Sequence, residues 1–235
     1  MKFGVIVFPG SNCDDDMVHV LGTVMGMEVV KIWHKSTSLD GFEKGDCIVL
    51  PGGFSYGDYL RSGAIASHAP IIPAIKEFAE NGGLVWGICN GWQILCEMGL
   101  LPGALLDNKH QKFISKSVHL KVASTNSPIT NGLQKGKLLK MPVAHAEGRY
   151  YAEPQTLREL EENDQVLFYY SNAKGEVNEN TNINGSIANI AGIVNKERNI
   201  FGMMPHPERA SERLLGSEDG KALFDSLIEA VDVKV

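Results

Sequence analysis

In the first half of the chain the apolar positions gather into short runs, and between the runs they recur at helical spacing. Residues 2–8 form an apolar run with Val5, Ile6 and Val7, closed by Pro9-Gly10, which predicts a buried strand. Ser11 and Asn12, followed by Asp14, Asp15 and Asp16, predict a helix start, because acidic groups are favoured at the positive end of the helix dipole. Met17, Val20, Leu21 and Val24 continue that helix as an apolar stripe. Residues 28–33 and 46–50 read as further strands, the second closed by Pro51-Gly52-Gly53. Residues 70–81 are predicted helical, with Pro73 in the first turn and Gly82-Gly83 as the stop. A strand over 84–88 and a helix over 91–98, ended by Gly99, complete the series. Strands alternating with helices at this spacing predict an α/β fold, a doubly wound, mostly parallel sheet with helices on both faces.

The pattern changes in the second half. Residues 116–123, 138–144, 165–170, 187–194 and 200–203 read as strands with mostly hairpin-like links, and 154–163 and 218–230 as helices. Antiparallel strands are therefore expected to extend the same sheet, with residues 1–235 forming a single domain. Residues 172–195 are rich in Asn and Gly and are expected to hold a flexible loop or hairpin.

A chain of 235 residues is long enough to bury roughly 70% of its unfolded surface without disulfides or metals. Its net charge of −6 speaks against a nucleic-acid or anionic-membrane surface, because no basic patch is available to neutralise phosphates. Lys135, Lys137 and Lys140, the densest basic stretch, read as a solvated turn. No run approaches the ~20 apolar residues of a membrane span. The four cysteines form no C-x-x-C and have no histidine at zinc-ligand spacing, so no metal site is expected. Free thiols, and an apolar run at 2–8 too short for a signal core, point to a reducing compartment and a cytoplasmic location.

Cys89 carries the most informative chemistry. It sits between the strand at 84–88 and the helix at 91–98 in Gly87-Ile88-Cys89-Asn90-Gly91, the cysteine form of a nucleophile elbow. Such a turn strains the central residue and presents its side chain at the carboxyl edge of the sheet, where the following helix aims its unpaired N–H groups. The pattern alone also fits a small buried cysteine in a Gly-flanked turn; the strand-to-helix placement favours the nucleophile. Cys47, mid-strand, and Cys96, on the core face of a helix, read as packing residues. Cys13 lies at a helix start, and its sequence neighbours offer it no base.

A base is available elsewhere. In Met204-Pro205-His206-Pro207-Glu208 the prolines bias the chain toward extended geometry, which would place His206 and Glu208 on one side. A carboxylate on one imidazole nitrogen fixes the tautomer and leaves the other nitrogen for a thiol. His19, His34, His68, His110 and His119 have no partner pattern. His145, in Ala144-His145-Ala146-Glu147-Gly148-Arg149-Tyr150, fits a site and a hairpin end equally well. Gly52 and Gly53, at the end of a strand, could join the Asn90 N–H in an oxyanion hole, although an ordinary tight turn has the same sequence. Neither a P-loop nor a dinucleotide fingerprint is present, so no nucleotide site is visible.

Taken together, Gly87-Ile88-Cys89-Asn90-Gly91-Trp92-Gln93 and His206-Pro207-Glu208 resemble the class I (triad) glutamine amidotransferases. Residues 52–66, 145–150 and 182–186 are similar to the branch of that family serving purine biosynthesis, and the likeness runs from the strand at Lys2 to the final helix. Ile183 departs from the pattern, standing where Asn-x-Asn-Gly-Ser would carry proline, and is expected to loosen that loop. The resemblance implies a class I amidotransferase fold and hydrolysis of glutamine to glutamate and ammonia by Cys89, His206 and Glu208, with Gln93 binding glutamine. It further implies a separate synthetase subunit that binds ATP and formylglycinamide ribonucleotide and uses the ammonia to make the amidine, together with a third small subunit. No cofactor is expected in this chain, ATP and Mg2+ belonging to the synthetase. The alternatives are a glutaminase subunit of another pathway, against which residues 52–66 speak, and a non-catalytic regulatory subunit, against which the complete triad speaks.

Overall fold

Four parallel strands form the first half of the sheet in a computed structural model, which describes residues 1–232. β1 (Lys2–Val7) lies between β2 (Glu28–Trp33) and β3 (Cys47–Leu50), and β3 pairs onward with β4 (Leu84–Ile88). The crossovers carry α1 (Asp14–His19), which runs into a π-helical turn at Val20–Val24, and α2 (Ile72–Glu80); α3 (Asn90–Glu97) follows β4. Phe3, Val5, Ile6, Ile48, Val49, Val85 and Trp86 are fully buried. Side chains pointing both ways are enclosed, as in a parallel sheet covered on both faces. α1 starts later than the Ser11-Asn12 signal: Cys13 is its N-cap and makes no side-chain cap bond. Asn12 instead lies against the backbone of Gly53, and Lys31 of β2 ties down Asp14 and Asp15 in the first turn of α1.

The second half adds antiparallel strands, as the pattern predicts. Beyond a short β5 (Ala104–Leu106), the chain forms β6 (Ile114–Val122), β7 (Leu138–His145) and the short β8 (Arg149–Tyr151). α4 (Pro154–Glu162), β9 (Val166–Ser171), β10 (Ile190–Val194), β11 (Ile200–Met203) and α5 (Lys221–Asp232) complete it. The nine-stranded sheet has the order β2-β1-β3-β4-β11-β10-β9-β6-β7, and β5 and β8 form a separate two-stranded ribbon. β11 is the seam between the halves, parallel to β4 on one side and antiparallel to β10 on the other. Asn199 anchors the seam by donating from Nδ2 to the carbonyls of Ala79 and Gly83, at the end of α2. Trp86 packs against Phe201 and Phe224, joining β4, β11 and α5 on one face of the sheet.

The Asn-rich segment is more closely tied than its composition suggests. Asn182 Oδ1 accepts from the Gly185 N–H and its Nδ2 donates to the Ser186 carbonyl, while Asn189 Nδ2 donates to the Asn178 carbonyl. Amide side chains here replace the ladder bonds that the backbone lacks. Ile183 packs against the core, which gives the loop an apolar anchor at the position where loosening was expected.

β4 and α3 meet in the predicted elbow. Cys89 has φ 51 and ψ −106, its N–H bonds the Met203 carbonyl at 2.8 Å, and its own carbonyl accepts from Trp92 and Gln93. The glycines on either side permit close approach. An ideal Cβ on Gly91 would lie 1.9 Å from the Leu50 carbonyl oxygen, and one on Gly87 would lie 2.6 Å from the Gly91 carbonyl. Gly91→Ala is therefore expected to cost about 3 kcal/mol by overpacking, a fall of roughly 6–12 °C in Tm for a chain of this size. Thermal unfolding of the variant measures this, and an unchanged Tm would show that α3 can move off β3 freely.

Candidate active site

The elbow sets Cys89 at the carboxyl end of the sheet, between the ends of β3 and β11. The side chain is buried, with Sγ 3.8 Å from the Ala144 carbonyl of β7. Asn90 opens α3, so its N–H has no acceptor within the helix and is free for a ligand.

His206 arrives from β11. Its N–H bonds the Pro142 carbonyl at 2.9 Å, and the Met204 N–H bonds the Ala191 carbonyl, so the segment is clamped to β7 and β10. His206 is extended, but the chain then turns into a 3-10 helix at Pro207–Ala210. Glu208 therefore reaches His206 through a turn, not along an extended strand. Nδ1 of His206 and Oε1 of Glu208 are 2.6 Å apart, both side chains are buried, and Nε2 of His206 makes no hydrogen bond. Because the carboxylate takes Nδ1–H, Nε2 is left for the thiol. Burial works against a charged imidazole, but the negative charges of Glu208 and the Cys89 sulfur outweigh it and hold His206 well above its ordinary value.

Gly52 and Gly53 are brought to the same place, although the first has an additional duty. A Cβ on Gly52 would lie 2.6 Å from His206 Cε1, so the glycine leaves room for the imidazole; Gly53, at φ 135, turns the backbone against Ser11 and Asn12. Asn90 and Gln93 are buried in one network. Asn90 Nδ2 donates to Gln93 Oε1 and to Asp58 Oδ1, Asn90 Oδ1 accepts from the Ser55 N–H, and Gln93 Nε2 donates to the Glu147 carbonyl. Gln93 thus braces the wall of the site against the 145–148 turn.

With this geometry in view, the comparisons decide the family. The model of the CobB/CobQ-like glutamine amidotransferase domain matches residues 1–222. Phosphoribosylformylglycinamidine synthase subunit PurQ of Moorella thermoacetica is 54% identical over 229 residues, covering 97% of this chain and 96% of its own. The subunit of the same name from Aquifex aeolicus is 53% identical over 228 residues, covering 97% and 99%. The chain belongs to the PurQ family of glutamine amidotransferases. The solved structure of PurLQS from Thermotoga maritima includes a chain that is 44% identical, covers 97% of each, and superposes with a TM-score of 0.85. The doubly wound sheet with added antiparallel strands is thus the fold of this family.

Further polar residues gather around these side chains. Asp58 is half-buried beside Asn90; burial pushes its carboxyl up to about 6, with the Glu147 charge adding and hydrogen bonds from Ser62 and Asn90 opposing. His145 belongs to the site's surroundings and does not end an exposed hairpin. It is buried, its Nδ1 lies 3.0 Å from Asn108 Oδ1, and Asn108 Nδ2 is occupied by the Lys112 and His145 carbonyls. That amide can only accept from Nδ1–H, and burial together with the His206 charge holds His145 down at about 4, neutral at physiological pH. Cys13, without a base among its sequence neighbours, turns out to have one in space: its sulfur, a His206 ring nitrogen and a Glu208 carboxylate oxygen all lie within 4.8 Å of one another. These three are metal-ligand types, but Arg209 already donates to the Cys13 sulfur and Glu208 occupies Nδ1, so a cation would have to displace both. Cys47 and Cys96 are packing thiols, pushed up by burial.

The electrostatics predict how the site responds to loss of its acid. In Glu208→Gln burial is no longer outweighed by the carboxylate charge, so His206 loses its proton at lower pH and the charged imidazole is lost sooner on the alkaline side. Glutaminase kcat/KM is expected to fall about 10²–10⁴-fold, with its alkaline limb displaced to lower pH. A pH–rate profile checks this; an alkaline limb that stays in place would assign the His206 charge to another source.

Proposed function

We propose that this chain is the glutaminase subunit of a phosphoribosylformylglycinamidine synthase. It hydrolyses glutamine to glutamate and ammonia and hands the ammonia to a synthetase subunit that amidates formylglycinamide ribonucleotide with ATP. The observation that carries the reading is the buried His206, bonded through Nδ1 to Glu208 and with Nε2 free beside an elbow thiol. The near-complete coverage by relatives bearing that enzyme's name supports the choice of pathway.

The chemistry follows from the arrangement. The Cys89 thiolate attacks the side-chain carboxamide carbon, and the oxyanion that forms is met by the Asn90 N–H and by an N–H of Gly52 or Gly53. Each such donor is worth about 3 kcal/mol when it is aimed at the developing charge. The His206 imidazolium gives its Nε2 proton to the departing amine, so that ammonia leaves and a γ-glutamyl thioester remains. Neutral His206 then takes a proton from water as it attacks the thioester; the tetrahedral adduct collapses to expel the Cys89 thiolate, His206 keeps the proton so that the starting pair is restored, and the glutamate carboxyl gives up its own proton to solvent. Glu208 holds the ring in the tautomer that keeps Nε2 available for both transfers. Gln93, with Asn90, shapes the wall against which glutamine lies.

The remaining parts of the reading concern partners. ATP and Mg2+ belong to the synthetase, since this chain has no phosphate-cradling loop, and a third small subunit completes the assembly, as the composition of the Thermotoga PurLQS structure suggests by analogy. A cytoplasmic location suits a biosynthetic step of this kind; among the described residues no helix is long and apolar enough to cross a membrane. The test is glutamate release, and amidine formation, by the chain combined with its synthetase, formylglycinamide ribonucleotide and ATP. Cys89→Ser is expected to lower glutamate release by about three orders of magnitude, while the assembly still makes amidine from an added ammonium salt. A Cys89→Ser enzyme that continues to hydrolyse glutamine would sink the mechanism.

A further inference from the structure

Beyond Gly52 and Gly53, the chain forms a contorted loop before it reaches the next helical turn. Tyr56, Asp58 and Leu60 all have positive φ, at 53°, 53° and 73°, with Gly57 at 71° among them. Residues with side chains avoid this region, and of these three only Asp tolerates it readily. Backbone bonds hold the turn down. The Phe54 N–H bonds the Gly10 carbonyl at 3.1 Å, the Tyr56 N–H the Pro9 carbonyl at 2.6 Å, and the Gly57 N–H the Phe54 carbonyl at 2.8 Å. The Tyr56 hydroxyl adds a side-chain tie, 2.5 Å from Nδ1 of the buried His34. Strain maintained by this many partners points to a task for the residues it displays.

What the loop grips is Asn90, whose side chain is fully buried. Asn90 Oδ1 accepts from the Ser55 N–H at 3.2 Å, while Nδ2 donates to Asp58 Oδ1 at 3.1 Å and to Gln93 Oε1 at 2.9 Å. Two of these three contacts come from the contorted loop. Turned over, the amide would set its oxygen against the Asp58 carboxylate, so only one orientation is satisfied. The carboxylate is costly to keep there. It is half-buried, forms no ion pair among the described residues, and feels the charge of Glu147, which itself is held by the Ser62 N–H at 3.1 Å and not by a cation. What the cost brings is a charged acceptor, which holds an amide N–H more firmly than a neutral one.

Asn90 is the first residue of α3 and follows Cys89, whose φ 51 and ψ −106 lie outside the wells that side chains prefer. That strain can relax by rotation of the peptide unit between Cys89 and Asn90, the unit whose N–H meets the oxyanion. A side chain pinned at three points holds Asn90 against such a rotation. We propose that Asp58 is a positioning residue for glutamine hydrolysis: with the Ser55 N–H it pins the Asn90 amide, and so keeps the Asn90 N–H aimed at the oxyanion. The proposal rests on the glutaminase reading above, because only that reaction forms an oxyanion here. Asp58 touches no reacting atom in this role. It acts through Asn90 on the transition state and leaves the ground-state binding of glutamine as it is.

The test separates the transition state from the ground state in the chain combined with its synthetase. Asp58→Gly suits the positive φ but has no carboxylate. It is expected to lower kcat for glutamate release about 10–100-fold, with product inhibition by glutamate unchanged. Asp58→Asn tolerates the same backbone and keeps an acceptor for Asn90 Nδ2, so it recovers most of that loss. Glutamate γ-semialdehyde reads the oxyanion site itself: the Cys89 thiol adds across its C=O to give a hemithioacetal whose oxygen lies where the oxyanion would. Its affinity falls with kcat in Asp58→Gly and returns in Asp58→Asn. An Asp58→Gly enzyme with unchanged kcat, or an Asp58→Asn enzyme as slow as Asp58→Gly, would overturn the proposal. So would glutamate and aldehyde weakening together while kcat holds, a result that makes Asp58 a contact of the bound substrate. Should Asp58→Gly fail to fold, Asp58→Ala and Asp58→Asn make the same comparison. A wild-type assembly that releases no glutamate refutes the glutaminase reading and this proposal with it, whereas an active wild type beside an indifferent Asp58→Gly refutes this proposal alone.

Discussion

The backbone at Cys89 adopts a conformation that residues with side chains avoid, and the rest of the site is arranged around keeping it there. Holding a non-glycine residue at φ 51 costs on the order of 1–3 kcal/mol. Three backbone bonds at that residue, to Met203, Trp92 and Gln93, work against the cost, as does the burial of Trp92, Ile94 and Leu95 along α3. The tight seat of Gly91 on the Leu50 carbonyl then keeps α3 from sliding. The same Met203 carbonyl that fixes the nucleophile belongs to β11, the strand that delivers the base. Nucleophile and base are therefore set in register by the pairing of β4 with β11, and not by two independent loops.

Two buried histidines in this region behave in opposite ways, and the difference lies in the partner of Nδ1. His206 faces a carboxylate and is kept charged; His145 faces the Asn108 amide oxygen and stays neutral. Burial acts on both in the same direction, so a full negative charge is what reverses the outcome. A neutral second imidazole has the merit of adding no further positive charge near the first. Asp58, carried up by burial and by its neighbour Glu147, shows the corresponding effect for acids at the other wall of the site.

The parallel half of the fold is plain in the chain because β1, β3 and β4 are buried on both faces, which writes them as apolar runs closed by Gly or Pro, while the edge strand β2 keeps only Val29 and Ile32 in or against the core. The strands at 28–33, 84–88 and 200–203 coincide with the observed ones. β5 and β8 were not legible, being three residues each and defined only by their pairing with one another. The Asn-rich stretch looked loose for a related reason: its order comes from side-chain amides reaching across several residues, which composition does not reveal. The triad was legible because Cys89 sits at a strand–helix junction and His206 and Glu208 are two residues apart. Cys13 was not, since Arg209 is 196 positions away in the chain and only the strand order β1-β3-β4-β11 brings the segments that follow β1 and β11 together.

The place of β11 has a consequence for the order in which the molecule can be made. Its residues follow the other described strands in chain order and are inserted between β4, made far earlier, and β10, made just before. Until Ile200–Met203 has emerged, the parallel and antiparallel halves have no common strand, and the edge of β4 lacks its neighbour. His206 and Glu208 follow within a few residues. A nascent chain thus carries its nucleophile early but acquires its proton carrier, and the strand that locates it, only after the other strands of the sheet. Chains truncated during synthesis have a thiol and no means of turning over glutamine.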